Sequence, residues 1–270
     1  MYLDFYGIKE KPFTLSPDPR YLFYSHWHKE ALSQMIYAIT QQHGYMVLTG
    51  DVGTGKTTLI NALLHCLPKN LSICKINHTI LSPKALIQII CREFGIDIKN
   101  KSQVELTFEL HEYLESNHRA GKKSILILDE AQNLGENVLE EIRLLSNFEA
   151  EQEKFLQIIL VGQPELDVKL SNMKLRQLLE RVSFKFRLER LNLEETRSYI
   201  NLRLKVAGSQ NGSELFETDS INKIHFLSGG VPRCINILCD HALLEGYLTN
   251  SYIINSRMIK SMGFEDAIIY

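Results

Sequence analysis

Short apolar runs alternate with segments of helical periodicity over the first two thirds of the chain. The apolar runs predict five β-strands, four of them buried on both faces and the last alternating apolar with polar residues. Their predicted bounds are Tyr45 to Thr49, Leu71 to Ile76, Ser124 to Leu128, Phe155 to Val161 and Val182 to Phe186. Because strands alternate with helices, the pattern predicts an α/β fold whose parallel sheet is covered on both sides.

Helical periodicity fills the segments between these strands. The predicted helices there are His26 to Gln42, Thr57 to Leu67, Pro83 to Phe94, Val104 to Arg119 and Glu136 to Glu149. Ser25 and Ser82 are candidate N-caps, and Ser102 with Glu105 has the spacing of a capping box. The neighbouring His26-Trp27-His28 indicates the start of a helix rather than a pair of metal ligands.

The strand pattern stops after Leu188, and only helical patterns follow. They predict helices over Asn192 to Val206, Asp219 to Leu227, Pro232 to Leu248 and Asn255 to Met262. At the other end, Met1 to Tyr24 interleaves prolines with Tyr and Phe, which indicates an extended arm packed on a neighbouring surface. We therefore expect an arm over 1–25, an α/β core over 26–189 and a helical lid over 190–270.

Composition narrows the class of protein. With 270 residues, 44% of them hydrophobic and 23% charged, the chain is neither disordered nor fibrous. A formal charge of -2 gives no bulk field toward nucleic acid or anionic lipid. Five scattered cysteines suggest reduced thiols. Since the chain also has no apolar run of ~18 residues, we expect a cytoplasmic protein that does not itself span a membrane.

A glycine-rich motif lies between the first strand and the following helix. It matches the pattern G-x4-G-K-S/T and consists of Gly50, Asp51, Val52, Gly53, Thr54, Gly55, Lys56 and Thr57. In this context backbone N–H groups surround phosphate oxygens at the positive end of the helix, against the alternative of a glycine turn without a ligand. Lys56 is then expected to reach the β/γ-phosphates of a nucleotide, and the Thr57 hydroxyl is expected to hold Mg²⁺.

Polar side chains follow two later strands. Asp129 and Glu130 end the third strand, where an acid can reach the Mg²⁺ shell and the next one can polarise a water molecule. The alternative is a solvated surface pair. Gln163 ends the fourth strand and is a candidate for binding the attacking water or the γ-phosphate, with a plain turn residue before Pro164 as the competing interpretation.

Three arginines complete the candidate set. Arg176 and Arg181 precede the fifth strand and are either solvated surface residues or groups inserted into a neighbouring subunit's site. Arg233 lies at the start of a lid helix, in Gly229-Gly230-Val231-Pro232-Arg233. It either folds over the phosphates when the lid closes or caps local carbonyls.

These residues together resemble the AAA+ superfamily, and more narrowly the ExeA/GspA-like ATPases. The narrower resemblance rests on Phe5-Tyr6-Gly7-Ile8, Pro17-Asp18-Pro19-Arg20, Leu128 to Leu134, Val161 to Leu166 and Gly229 to Asn236, together with Gly50 to Thr58. It covers nearly the whole chain and implies a five-stranded AAA+ core followed by a small all-helical lid.

The resemblance also implies a Mg²⁺-dependent ATPase that assembles or remodels a secretion or pilus complex of the cell envelope. By position it implies that Gly50 to Thr58 and Arg233 bind ATP, that Thr57 and Asp129 bind Mg²⁺, and that Glu130 is the catalytic base. Gln163 would be the first sensor and Arg233 the second. Arg181 is the preferred trans-acting finger of a homo-oligomeric ring such as a hexamer, with Arg176 as the second choice.

The chain departs from the family's secretion proteins in ending soon after the lid, without their membrane span and cell-wall-binding region. We therefore expect an ATPase that is cytoplasmic, or peripheral at the inner membrane through a membrane-protein partner. Two alternatives stay open: an ATP-dependent DNA-binding regulator of the transposition type, and an ATP-gated scaffold with little turnover. The candidate DNA contacts are Lys99, Lys101, Arg119, Lys122 and Lys123.

Overall fold

The computed structural model describes residues 2–16, 18–68, 70–77, 81–150, 153–209 and 212–261. The chain forms two compact units, each built from separate segments. We call one the sheet unit, made of Glu30–Gly50 and Leu63–Arg187. We call the other the helical unit, made of Met1–Lys29, Asp51–Ala62 and Leu188–Tyr270. The chain changes from one unit to the other after Lys29, Gly50, Ala62 and Arg187.

The described residues form the following elements. The α-helices are α1 Tyr2–Phe5, α2 His26–Thr40, α3 Lys56–Cys66, α4 Pro83–Glu93, α5 Gln103–Arg119, α6 Glu136–Leu145, α7 Pro164–Leu170, α8 Arg176–Leu179, α9 Leu193–Val206, α10 Gly212–Leu215, α11 Thr218–Ser228, α12 Pro232–Leu248 and α13 Ser256–Ser261. The strands are β1 Tyr45–Gly50, β2 Leu71–Ile76, β3 Lys123–Leu128, β4 Glu149–Ala150, β5 Glu153–Lys154, β6 Leu156–Gly162 and β7 Val182–Leu188.

Five of these strands form one sheet in the order β2-β3-β6-β1-β7. The pairs β2 with β3, β3 with β6 and β6 with β1 are parallel, with Leu128 opposite Leu160 and Thr49 opposite Gly162. Strands β1 and β6 are buried along their whole length, which explains their continuous apolar runs. The prediction of a five-stranded parallel sheet with helices is confirmed.

The segment between α6 and β6 differs from the prediction. A helix was expected to reach Glu149, but α6 ends at Leu145, and β4 and β5 then form a small antiparallel pair. The Ser146 N–H still bonds to the Ile142 carbonyl, after which the chain turns and the Phe155 N–H bonds to the Phe148 carbonyl. Strands of two residues are too short to show a periodic pattern of apolar residues, so they were not predicted.

Capping side chains set several helix starts, as expected from the sequence. The Ser82 hydroxyl accepts from the Ala85 N–H, and Ser102 and Glu105 form a reciprocal capping box at α5. Asn192 is the N-cap of α9 rather than its first residue, because its side chain accepts from the Glu195 N–H. The last predicted helix is present as α13, and its predicted final residue, Met262, lies outside the described residues.

The helical unit buries the aromatic residues of the first segment. Tyr6, Phe13 and Tyr21 belong to one apolar cluster with side chains of α9, α11 and α12. Burial of such large rings is the main stabilising contribution that this segment can make. The amino-terminal segment is therefore an integral part of the helical unit's core.

A buried arginine fastens this segment. Arg203 of α9 is 6% exposed, and its Nε donates to the Pro12 carbonyl at 2.5 Å. Its other nitrogens donate to the Thr14 carbonyl at 3.1 Å and the Tyr199 hydroxyl at 2.8 Å. The guanidinium also stacks 4.6 Å from the centre of the Tyr21 ring. A planar group with five donors can serve all these acceptors at once, which a lysine cannot.

Among the described residues, no helix is both long enough and apolar enough to cross a bilayer.

Candidate functional site

The loop after β1 has a backbone that only glycine accommodates easily. Gly53 and Gly55 have φ angles of +81° and +99°, in the left-handed region that side chains disfavour. Between them, Thr54 is buried, and both its N–H and its hydroxyl donate to the Asp51 carbonyl. The loop is thus closed on itself by Thr54, while its glycines let the chain curl.

Lys56 lies at the first position of α3 and is 6% exposed. Its Nζ donates to the Asp51 carbonyl at 3.0 Å, across the loop. A buried ammonium is costly unless polar atoms surround it, and this loop supplies them. Thr57 and Thr58 follow in the first turn of α3, where helical N–H groups are available to an anion. The arrangement concentrates positive charge at the amino end of α3.

A histidine that the sequence analysis assigned only to a helix start lies against this loop. A Cβ added at Gly55 would come within 3.1 Å of His28 Nε2. His28 also lies beside the Thr54 backbone, and its Nδ1 lies 2.7 Å from Ser25 Oγ. Burial lowers the pKa of His28 below its ordinary value, only partly offset by the Thr54 contact. The imidazole therefore favours its neutral form in the folded protein.

Arg190 is a second loop contact that sequence reasoning missed. Its Nε lies 2.6 Å from the Asp51 carboxylate, and its guanidinium lies beside Gly229. Leu191, the residue after Arg190, approaches Gly230 closely. A Cβ added at Gly230 would fall 2.0 Å from the Leu191 carbonyl oxygen. The positive φ of Gly230 and this contact both require glycine there.

Arg233 lies beside the same loop. Its N–H bonds to the Gly53 carbonyl at 3.3 Å, and a Cβ at Gly53 would be 2.6 Å from Arg233 Cβ. Its side chain is exposed. The helical unit therefore brings the glycine loop, Lys56 and Arg233 together, as a lid arginine acting on nucleotide would require.

The sheet unit carries the two predicted carboxylates at the end of β3. Asp129 is 5% exposed, and its N–H continues the sheet by bonding to the Ile76 carbonyl. Its carboxylate accepts from the Glu130 N–H at 3.0 Å. Glu130 has a φ of +54°, a left-handed conformation that is rare for a residue with a side chain. Such strain is often found where a side chain is aimed for chemistry.

Glu130 is bound by two glutamine amides. Gln163 Nε2 donates to Glu130 Oε2 at 3.2 Å, and Gln132 Nε2 donates to the same oxygen at 2.5 Å. Gln163 occupies the N-cap position of α7 without a side-chain capping bond. Its side chain therefore contacts Glu130 in this structure, and the simple interpretation as a turn residue does not describe it. Gln132 was not among the candidate residues, since one polar side chain on a short turn leaves no pattern.

The two candidate finger arginines have different surroundings. Arg181 donates from one nitrogen to the Arg143 carbonyl at 3.1 Å and to Ser146 Oγ at 2.5 Å, both at the end of α6. Arg176 pairs with Glu180 one helical turn away, and its side chain is 69% exposed. Arg181 thus has a structural contact in its own chain, whereas Arg176 has a surface ion pair of small energetic weight.

Three of the five basic residues considered for DNA binding have partners within the chain. Lys101 pairs with Glu109, Arg119 pairs with Glu115, and Lys123 Nζ donates to the Thr40 carbonyl. The Arg119 pair is a surface ion pair of the same small energetic weight as that of Arg176.

Comparison with known proteins agrees with this geometry. A family model described as "AAA domain" matches residues 39–170. The chain is 40% identical over 266 residues to general secretion pathway protein A of Aeromonas hydrophila, an alignment that covers 98% of this chain and 48% of that protein. The chain thus spans about half the length of the curated relative that it matches.

Solved structures show the same fold. The ORC2 protein of Aeropyrum pernix, in its ADPNP–ADP complexes, superposes with a TM-score of 0.71 at 15% identity, covering 97% of this chain and 73% of that one. The Cdc6p protein of Pyrobaculum aerophilum gives 0.70 at 20% identity, covering 90% of this chain and 67% of that one. At such low identity the likeness concerns the fold alone.

The buried His28 predicts a pH-dependent stability. Because its pKa is lowered on folding, the unfolded state binds the proton more readily, so the free energy of unfolding falls as the pH drops below about 6.5. Substituting His28→Gln removes the part of this decrease in the free energy of unfolding that is due to His28. We expect urea titrations at pH 7.5 and 5.0 to differ less for His28→Gln than for the unsubstituted protein.

His26→Gln, which changes an exposed neighbour, is the matched control and should keep the full pH dependence. Part of the loss remains in His28→Gln, since burial also lowers the pKa of His225. An equal pH dependence for His28→Gln and the unsubstituted protein would contradict the role of His28.

Proposed function

Because the chain belongs to the AAA+ ATPases of the ExeA/GspA-like family, we propose that it binds ATP at Gly50 to Thr58 and hydrolyses it. The observation that carries this proposal is the loop itself, in which the buried Lys56 directly follows the left-handed Gly55 and donates to the Asp51 carbonyl across the loop. Such a loop at a helix start is built for the phosphates of a nucleotide.

Bound phosphates supply the negative charge that pairs with the Lys56 ammonium. Lys56 Nζ exchanges the Asp51 carbonyl for oxygens of the β- and γ-phosphates, a charge-assisted contact that is stronger than a neutral one. The N–H groups of the loop and of the first turn of α3 bind the remaining oxygens. Gly53 and Gly55 are needed because a side chain at either position would meet Arg233 or His28.

The chain also has oxygen-bearing side chains of the kind that bind Mg²⁺. Mg²⁺ prefers hard oxygen ligands and is commonly bound by one or two carboxylates together with substrate phosphates. The Thr57 hydroxyl and the Asp129 carboxylate are donors of this type. When bound, the ion neutralises charge that develops on the phosphates during transfer.

Glu130 is proposed as the general base. Strands β3, β6 and β1 are neighbours and run parallel, so their carboxyl ends share one edge of the sheet. Glu130 follows β3, Gln163 follows β6, and the glycine loop follows β1. Parallel α/β sheets bind ligands at this edge. Glu130 takes a proton from the attacking water, while Gln163 acts as the first sensor of the γ-phosphate.

Arg233 is proposed as the second sensor. Its backbone already bonds to the Gly53 carbonyl, and its exposed side chain extends from the first turn of α12. A guanidinium in this position gains a phosphate partner when ATP is bound and loses it after product release. Binding and release of ATP would thereby change the contacts of α12 in the helical unit.

The relative's name, general secretion pathway protein A, guides the biological proposal. We propose that the chain uses ATP to assemble or remodel a secretion or pilus complex of the cell envelope, acting from the cytoplasm through a membrane-protein partner. The DNA-binding alternative has less support, since a formal charge of -2 gives no bulk field toward nucleic acid.

We further propose that copies of the chain form a ring in which an arginine completes a neighbour's site. Arg181 is the preferred residue and Arg176 the second choice. An arginine supplied in trans stabilises charge on the transferring phosphoryl group and accelerates hydrolysis by about 10³-fold or more in other phosphate-loop enzymes.

Two substitutions separate binding from hydrolysis. Lys56→Ala should weaken ATP affinity by roughly 10- to 100-fold, because it removes a hydrogen bond between charged groups. Glu130→Gln should keep ATP affinity and lower the turnover number by about 10²- to 10⁴-fold. Calorimetric titration with a non-hydrolysable analogue and a phosphate-release assay measure the two effects.

Lys29→Ala, at an exposed lysine of the same unit, is the control for a general loss of charge. Normal affinity in Lys56→Ala would refute the phosphate loop, and normal turnover in Glu130→Gln would refute the base.

A mixing experiment tests the shared site. Arg181→Ala and Glu130→Gln subunits should each be inactive alone and regain activity when mixed, because an interface between them contains one intact base and one intact arginine. Ser146→Ala is the matched control, since it removes the intramolecular partner of Arg181 and leaves the guanidinium in place.

Activity lost equally in Ser146→Ala would show that Arg181 acts through the end of α6. If no ratio of the two inactive subunits restores activity, Arg181 does not act in trans, and the same mixture with Arg176→Ala then tests the second choice.

A further inference from the structure

Gln132 lies at the centre of the hydrogen bonds that join the ends of β3 and β6. Its Nε2 donates to Glu130 Oε2 at 2.5 Å, and its Oε1 accepts from the Gln163 N–H at 3.1 Å. A main-chain N–H can only donate, so the bond from Gln163 fixes which end of the amide is the oxygen. The other end, the NH₂ group, must then face Glu130.

The surroundings of Gln132 are shaped for this side chain. A Cβ at Gly162 would come within 2.8 Å of Gln132 Oε1, so a larger residue would displace the amide. Lys169 of α7 donates to the Gln132 carbonyl and, at 2.8 Å, to the Leu134 carbonyl. The backbone of the turn Ala131–Asn133 and the end of β6 are thereby fixed on either side of one amide.

The bonds act on Glu130 in a particular way. A glutamate side chain has three rotatable bonds and would otherwise sample many orientations. Two donors, Gln132 and Gln163, bind one carboxylate oxygen, Oε2. With that oxygen held, the direction in which Oε1 points is restricted as well. Positioning a base within a fraction of an ångström is a large part of its catalytic contribution.

We propose that Gln132 is a positioning residue for ATP hydrolysis: it holds Glu130 by Oε2, and the bond from the Gln163 N–H keeps the Gln132 amide turned toward that oxygen. This inference rests on the proposed function, in which Glu130 is the general base. Gln132 itself touches neither the water nor the phosphates in this role. It differs from Gln163, whose expected partner is the γ-phosphate.

Gln132→Met provides the main test, because methionine has a similar length and shape and lacks the amide. The turnover number should fall about 10- to 100-fold, the range found when a group that orients a reactive residue is removed. The KM and the affinity for a non-hydrolysable analogue should stay unchanged, since the phosphate loop is untouched. Asn133→Ala, at the exposed next residue of the same turn, should have normal turnover.

A second background separates positioning from a structural role. In Glu130→Gln protein the carboxylate is gone, so adding Gln132→Met should lower the residual single-turnover rate no further. Gln132→Glu keeps an oxygen for the Gln163 N–H but places an acceptor against Glu130, and it should turn over as slowly as Gln132→Met. Chemical unfolding of each variant verifies that it is folded.

Normal turnover in Gln132→Met would overturn the inference while leaving the base assignment intact. A further loss when Gln132→Met is added to Glu130→Gln would overturn it too, because the amide would then act independently of the carboxylate. Normal turnover in Glu130→Gln alone would overturn the proposed base and this inference together.

Discussion

A buried ammonium group is the constraint around which the glycine loop is built. Lys56 is almost fully removed from solvent, and a charge in that position needs polar atoms close by. The Asp51 carbonyl provides one of them, brought across the loop by the Thr54 hydrogen bonds. The loop can curl in this way only because Gly53 and Gly55 adopt left-handed conformations. The buried Lys56 ammonium therefore depends on the curled loop backbone, and that backbone depends on its two glycines.

The need to hold the loop in one conformation around Lys56 also accounts for the side chains packed against it. His28, Arg190 and the first turn of α12 at Arg233 each contact a loop residue, within the helical unit. These contacts restrict the loop at Gly55, Asp51 and Gly53, so that less conformational entropy is lost when an anion binds. Arg203 contributes indirectly, since it fastens the aromatic amino-terminal segment from which His28 follows along the chain.

At the sheet's carboxyl edge, order is maintained by hydrogen bonds between side chains. Glu130 adopts a left-handed backbone conformation, and its carboxylate is held by the amides of Gln132 and Gln163. Strain and polar contacts of this kind are costly to maintain unless neighbouring structure enforces them. Adjacent parallel strands provide that enforcement, because they deliver Glu130 and Gln163 to the same edge in fixed register.

The elements with strong local signals were predictable from the sequence. Apolar runs predicted four of the long strands and an alternating pattern predicted the fifth, while the capping residues Ser82 and Ser102 predicted two helix starts. The pair β4 and β5 was not predictable, because two-residue strands carry no periodicity. The phosphate motif identified the loop, but His28, Arg190 and Gln132 act through contacts between distant segments or through a single turn. No local pattern records such contacts, so they appear only in the folded chain.

Binding of a triphosphate by the buried lysine and the glycine loop can be examined in a crystal structure with a non-hydrolysable ATP analogue and Mg²⁺. We expect Lys56 Nζ to leave the Asp51 carbonyl and to contact the β- and γ-phosphates, while the loop backbone keeps its present conformation. A structure at saturating analogue in which the nucleotide lies elsewhere and Lys56 still bonds to Asp51 would contradict this expectation.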